Sequence, residues 1–225
     1  MAGILYGVGI GPGDPELLTL KAKKILEDVD ILIFPGEIAK DTIAYQIIKN
    51  TIDFSGKELV GIAFPMTKDP KILEENHKKG AEKIAELLES GKNAAFPTLG
   101  DPSVYSTFSY VNKILKKMGY QTEVIPGIPS FCAASAKLGE ALGETSQQIH
   151  IIPSSYGIQE AIHLPGTKVL MKAGKKIGQV IQEAAATGQK MTMLENLGME
   201  NERIIENPDK SIDAGYYTLV IMKES

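Results

Sequence analysis

Residues 3–19 read GILYGVGIGPGDPELLT, and the interpretation of this stretch decides the fold. An apolar run, GILY, leads into glycines at positions 7, 9, 11 and 13, after which Asp14-Pro15 opens a helix-like segment. A strand, a glycine loop and a helix in that order describe a nucleotide-binding turn. The dinucleotide fingerprint G-x-G-x-x-G nevertheless fails in both frames. From Gly7 its third glycine falls on Pro12, and from Gly9 it falls on Asp14. No Gly-Lys-Ser/Thr follows, so the P-loop pattern fails as well. Asp30 has the spacing of a ribose-binding acid, but without the glycines that spacing carries nothing. Asp14 is placed to cap the helix and Pro15 to begin it. That sets a carboxylate, backed by Glu16, where a pyrophosphate would bind. The loop is not built for phosphate. Its small residues instead allow the backbone to approach something bulky.

The 225 residues suffice for one large or two small domains, and 43% hydrophobic content is that of a globular protein with a proper core. No apolar run approaches the ~20 residues that span a bilayer, so no membrane segment is expected. A basic region with a small-residue cleavage site is also missing ahead of the first strand. The single cysteine, Cys132, excludes an internal disulfide and fits a reducing cytoplasm. A formal net charge of -4 argues against nucleic acid as a partner. Arg203 is the only arginine, so bidentate arginine recognition of many carboxylates or phosphates is not available.

Apolar strands alternate with helical patterns, which predicts an α/β protein with a mostly parallel sheet. Strands are read near 3–9, 29–34, 58–63, 93–97 and 121–126, with helices near 15–28, 41–50, 69–90 and 103–118 between them. A helix at 129–138 follows, then strands at 147–152 and 167–172, a helix at 175–187, and strands at 190–195 and 216–222. A boundary near residue 120 divides the chain into an N-terminal α/β domain, 1–120, with a mostly parallel sheet, and a C-terminal α/β domain, 121–225, with a mixed one. Three glycine-bearing turns follow strands: GIGPGDP, FPTLGDPSVYST (96–107) and VIPGIPSF (124–131). Ligands of open α/β sheets bind beyond the carboxyl ends of the strands, so the three turns predict one shared cleft between the halves.

GVGIGPGDPELLT, LGDPSVYST, VIPGIPSF and MLEN, in that order, resemble the GxGxGxxxLLT opening, GDP turn, PGI turn and late Glu-Asn strand end of the tetrapyrrole (class III) methyltransferases. The likeness spans essentially the whole chain. Within that family the stretches IFPG (33–36), FPMTKD (64–69), GDPSVYSTFSYV (100–111), LMKAG (170–174) and LENLGMENERI (194–204) are similar to the branch that methylates carbon 20 of the corrin precursor. The resemblance implies S-adenosylmethionine (SAM) in a cleft between two α/β domains, a tetrapyrrole stacked beside it, and a homodimer. Carried onto this chain, the cofactor contacts are Pro12, Gly100, Asp101, Val104, Ser130, Met171, Asn196 and Leu197. Pro129 stands where the family often has threonine and cannot donate a backbone hydrogen bond, so Ser130 is expected to supply the polar contact. The macrocycle side falls to Gly9, Gly11, Asp14, Pro35 and Gly36.

Relatives that methylate uroporphyrinogen carry an aspartate where strand 29–34 ends, as their proton acceptor; here Pro35 occupies that position. The missing base argues against the uroporphyrinogen reaction. Asp101 and Tyr105 are the nearest candidates for a base and neither is assigned, since Asp101 equally suits a helix cap near Ser103. Another tetrapyrrole or diphthine-type methyltransferase and a non-catalytic tetrapyrrole carrier remain as alternatives. The failed fingerprint argues against a third alternative, a nicotinamide oxidoreductase. His77, His150 and His163 lack metal-ligand spacing, so no metal site is expected, and His77 is read as a solvated residue of a polar helix. Cys132, in FCAASA, is read as a buried packing residue, and Met191, Met193 and Met199 as core. Lys68 and Lys172 lie beside motif loops, where they suit a substrate rich in carboxylates. Arg203 is read as a surface residue, and its place in the ENERI stretch adds to its interest.

Overall fold

The computed structural model describes residues 1–65, 67, 69–153 and 158–223. It divides into two compact units, Met1–Pro129 and Ser130–Ser225. In the first unit, strands β1 (Leu5–Gly9), β2 (Ile31–Pro35), β3 (Glu58–Ile62), β4 (Ala94–Thr98) and β5 (Thr122–Ile125) form one sheet in the order β3-β2-β4-β1-β5. Every pairing in it is parallel. Parallel strands are covered on both faces, which is why Ile31–Phe34 and Ala94–Thr98 are buried without alternation. Helices α1 (Leu20–Asp28), α2 (Ile43–Ile48), α3 (Pro70–Glu89) and α4 (Thr107–Lys117) make the crossovers. Ala81, Ile84 and Leu88 of α3 and Phe108, Val111 and Leu115 of α4 pack on Leu5, Ile31, Ile33 and Phe96 of the sheet.

The connection after β1 runs toward β2, whereas that after β4 runs toward β5, so the neighbours β4 and β1 send their crossovers in opposite directions. The topological switch point, the favoured ligand position of open α/β sheets, therefore lies at the ends of β1 and β4.

The second unit contains α5 (Ser130–Leu138), β6 (Ile149–Pro153), α6 (Ile158–Ile162), β7 (Thr167–Met171), α7 (Ile177–Thr187), β8 (Lys190–Glu195), β9 (Arg203–Glu206) and β10 (Thr218–Lys223). Its sheet order is β6-β7-β10-β8-β9, parallel between β6 and β7 and antiparallel elsewhere. Met191, Met193, Leu170, Val220 and Met222 of the sheet pack with Ile158 and Ile162 of α6 and Val180, Ile181 and Ala184 of α7. Met191 and Met193 are thus core residues, as expected; Met199 is half-buried.

The observed division falls after Pro129, later than the expected boundary near 120, because β5 hydrogen-bonds to β1 and completes the first sheet. The expected helix 15–28 is broken. Pro15–Leu17 is a single 3-10 turn, Leu18 is extended (φ -64°, ψ 131°), and the Thr19 hydroxyl caps α1 afresh by accepting from Ala22 N. The helix expected from 103 begins at Thr107 with Ser106 as its cap. Strand β9 and the short α6 were not expected.

Two side chains depart from their expected settings. His77 is buried, not solvated: it shares the face of α3 that carries Ala81, Ile84 and Leu88, and it stacks on Tyr110 at 4.5 Å and 7°. Phe64 flanks it at 6.2 Å and fills the space over Gly80, where an added Cβ would collide with the ring. Cys132, expected to be buried, is exposed on α5, whose inward residues are Phe131 and Ala134.

Candidate functional site

The three glycine turns of the first unit meet at the switch point. Gly11 and Gly100 form an isolated antiparallel bridge, with Gly100 N donating to Gly11 O at 2.7 Å and Gly11 N to Gly100 O at 3.4 Å. Ile10 N donates to Thr98 O at 3.0 Å. A Cβ on Gly9 would sit 2.5 Å from Gly127 Cα and 2.8 Å from Gly100 O. The bulky object that these small residues admit is thus the backbone of the neighbouring turns. Gly11 (φ 76°) and Gly100 (φ 72°) also need the left-handed region.

Asp101 ties the second turn to the third. It is buried; its Oδ1 accepts from the Ser103 amide at 2.8 Å and from the Ser103 hydroxyl, and its Oδ2 accepts from Gly127 N at 2.9 Å. Burial raises its pKa, but the two Ser103 donors and the Gly127 amide outweigh burial and hold the carboxyl below its ordinary value. Pro12 and Gly100 are buried beside it, Val104 is half-buried, and Tyr105 is exposed with a left-handed φ of 46°. Asp14 accepts from Glu16 N at 2.9 Å, so it is the N-cap expected of it, over one turn rather than a long helix.

Pro35 ends β2, exposed, and pairs with Ile62. Gly36 N donates to Ile62 O at 2.9 Å, and the turn presses on β3: a Cβ on Gly61 would lie 2.6 Å from Gly36 O. Gly61 is a positioning residue that the sequence reading passed over; its signal was a glycine inside an apolar strand. Lys68 lies outside the described residues.

In the second unit, Met171 and Leu194 both register with Leu219, which brings the ends of β7 and β8 to either side of the start of β10. Met171 is half-buried there, and Leu197 is buried in the turn that follows β8. Asn196 opens that turn at φ 51°, its amide donating to Tyr217 O at 3.2 Å. Glu202 closes the turn by accepting from Gly198 N at 2.7 Å, and Lys137 of α5 pairs with it at 2.9 Å. Lys172, also left-handed at φ 59°, sets its ammonium 5.5 Å from the centre of the Tyr216 ring, and Tyr216 meets Tyr217 edge-on at 5.2 Å. Both tyrosines are exposed by about two fifths, and neither was singled out from the sequence. Three of the five non-glycine residues with positive φ among those described, Tyr105, Lys172 and Asn196, fall in motif turns, where such backbone outliers cluster at ligand sites. Ser130 is half-buried at the start of α5.

Arg203 serves the turn after β8 as structure. Its Nε donates to Glu195 Oε2 at 2.7 Å, Nη2 reaches the same oxygen, and Nη2 also donates to Asp213 O at 2.7 Å. His150 bonds the Pro165 carbonyl at 2.9 Å and His163 is exposed. Among the described residues, no three His, Cys, Asp or Glu side chains gather as metal ligands, and no helix is long and apolar enough to cross a membrane.

With this geometry in place, known proteins provide the decisive comparison. The sequence profile of the Tetrapyrrole (Corrin/Porphyrin) Methylases matches residues 4–213. The chain belongs to this family. Over 169 residues, 75% of this chain and 71% of the relative, it is 41% identical to a probable cobalt-precorrin-2 C(20)-methyltransferase of Methanocaldococcus jannaschii. Over 234 residues, 98% of this chain and 95% of the relative, it is 28% identical to a precorrin-2 C(20)-methyltransferase of a Sinorhizobium species. The fold is that of the uroporphyrin-III C-methyltransferase of Thermus thermophilus complexed with S-adenosylhomocysteine (TM-score 0.73, 19% identity, 99% of this tetrapyrrole methylase and 92% of that chain).

Proposed function

We propose that this tetrapyrrole methylase transfers a methyl group from SAM to meso carbon 20 of precorrin-2 or its cobalt-bearing counterpart, in cobalamin biosynthesis. The observation that carries the reading is the meeting of the GIGPG, LGDP and VIPG turns at the switch point, in a chain 41% identical to a C(20)-methyltransferase.

The turns fit SAM better than a phosphate ligand. Residues 9–14 and 100–105 carry carboxylates and no basic side chain, and Asp101 is held ionised. A cationic sulfonium suits that environment, and a pyrophosphate does not. SAM supplies a methyl group already on a leaving thioether, so no acid is needed to release it. The contacts proposed for it are Pro12, Gly100, Asp101 and Val104 of the first unit and Ser130, Met171, Asn196 and Leu197 of the second. Backbone groups fixed by bridges and caps hold a ligand at little entropic cost, because the loops are ordered beforehand. The chain's part in the chemistry is positioning: bringing the two carbons to about 3–3.5 Å in line contributes several kcal/mol without a catalytic side chain. Gly9, Gly11, Asp14 and the neutral Pro35–Gly36 turn are proposed to face the macrocycle. We further take the protein as cytoplasmic, on its single cysteine, and as a homodimer, on the family resemblance alone.

The test is mass and UV-visible analysis of the products from SAM with metal-free and with cobalt-loaded substrate. One added methyl on either substrate is expected. Binding of both ligands without turnover would make the protein a carrier instead.

A further inference from the structure

We infer that Asp101 is the latch that holds the LGDP and VIPG turns together, and that it acts as a positioning residue for the cofactor rather than as the proton acceptor. This rests on the proposed methyl transfer. The carboxylate is engaged at both oxygens: Oδ1 receives both donors of Ser103, and Oδ2 receives the amide of Gly127, 26 residues away in the next motif turn.

The bond to Gly127 is made where the turns touch. A Cβ on Gly127 would lie 2.7 Å from Gly9 Cα, so the third turn lies against the first as well as against Asp101. Gly100, the residue before Asp101, is fixed by its two-bond bridge to Gly11. One side chain therefore sets the spacing of two turns, and the backbone bridge of its neighbour Gly100 ties the first turn to them; side-chain-to-amide bonds of an ionised group are the strong kind. A general base must be poised to take a proton near the working pH. Asp101 is arranged in the opposite sense, because each of its three donors stabilises the charged form.

Asp101→Asn tests the inference. The amide can accept from one partner only and turns its NH2 toward the other donor, so the latch is half broken while the side chain's size is kept. Exchange of the Gly127 or Ser103 amide should accelerate in the ligand-free protein, a readout that needs no cofactor. S-adenosylhomocysteine should bind at least tenfold more weakly, and kcat at saturating SAM should keep the parent's pH profile. Unchanged affinity, or loss of the acid limb of the kcat profile with affinity kept, overturns the inference.

Should Asp101→Asn not fold, Ser103→Ala decides in its place. It removes one donor from Oδ1 and leaves the Gly127 bond. Were Asp101 the base, its weakened charged form would move the acid limb to higher pH. The latch predicts an unmoved limb with a few-fold weaker affinity, and a shifted limb overturns it. If the parent itself binds no S-adenosylhomocysteine, the methyltransferase reading fails, whereas the amide-exchange result still reports on the latch.

Discussion

Glu195, buried at the end of β8, receives two donors from Arg203, and the same guanidinium reaches on to the Asp213 carbonyl. The only arginine of the chain thereby joins β8, β9 and the loop before β10. Gly215 N donates to the other oxygen of Glu195, and a Cβ on Gly215 would lie 2.7 Å from that oxygen. Removing Arg203 leaves a buried carboxylate with one amide for company. The arginine side chain is 45% exposed, which reduces the loss below that of a fully buried pair. Arg203→Ala should cost about 1–3 kcal/mol, read as a lower denaturant midpoint. Arg203→Lys should restore only part, because an ammonium cannot reproduce the fork.

His77 gives a pH dependence of definite sign. Burial lowers its pKa below the ordinary 6.5. Above that pH the ring is neutral in both the folded and the unfolded chain and contributes nothing. As pH falls below it, the unfolded chain binds the proton more readily, so stability is lost. His77→Phe keeps the stack on Tyr110 without the titration. Between pH 6.5 and 5 its denaturant midpoint should fall less steeply than the parent's, and parallel slopes would show that the ring charges without cost.

His77 also shows what local pattern reading can and cannot supply. The segment DPKILEENHKKGAEKIAELLES announces its helix through Asp69, Pro70 and apolar spacing, and the structure has it at Pro70–Glu89. Its surroundings, ENHKKG, are polar, and the rings of Tyr110, on another helix, and of Phe64 make position 77 an interior one. The helix expected over 15–28 fails at Leu18, where nothing in PELLTLKAKK forbids continuation; Thr19 wins as a second cap. β9, RIIE, is mostly exposed and short, and takes its strand character from pairing with β8. The glycine turns were legible because their chemistry is local. That they lie against one another depends on strand order, which no single stretch encodes.

Gly100→Val should abolish cofactor binding. The residue has φ 72°, where a β-branched side chain is strained, and both its amide and its carbonyl are committed to Gly11. Calorimetry with S-adenosylhomocysteine should show at least a hundredfold weaker binding, with far-UV circular dichroism unchanged. Parent-like affinity would mean the loop has been assigned the wrong ligand.

Gly61→Ala should separate substrate from cofactor. The new methyl meets the carbonyls of Gly36 and Glu37, so the Pro35–Gly36 turn must move while the turns at Gly11, Gly100 and Gly127 are untouched. The expected outcome is a raised KM for the tetrapyrrole, roughly tenfold for a displacement worth about 1.4 kcal/mol, with S-adenosylhomocysteine affinity kept. Equal losses in both would place the turn on the cofactor side.

On the proposed reading, substrate choice rests on Pro35. This residue ends β2 in register with Ile62, and Gly36 N is bound to both Phe34 O and Ile62 O, so the turn is rigid and bears no charge. The family resemblance implies an aspartate at this strand end in relatives that act on uroporphyrinogen. Proline supplies no acceptor for a proton, and uroporphyrinogen should therefore not be methylated. The dimethylated precursor presents a bare meso carbon whose nucleophilicity comes from the macrocycle, so it should gain one methyl without a base at this position. An assay offering both substrates with carbon-13-labelled SAM, read by NMR, locates the new methyl. A label on carbon 20 is expected. A label on a pyrrole β-carbon, or efficient turnover of uroporphyrinogen, would assign the chain to another branch of the family while leaving the family itself intact.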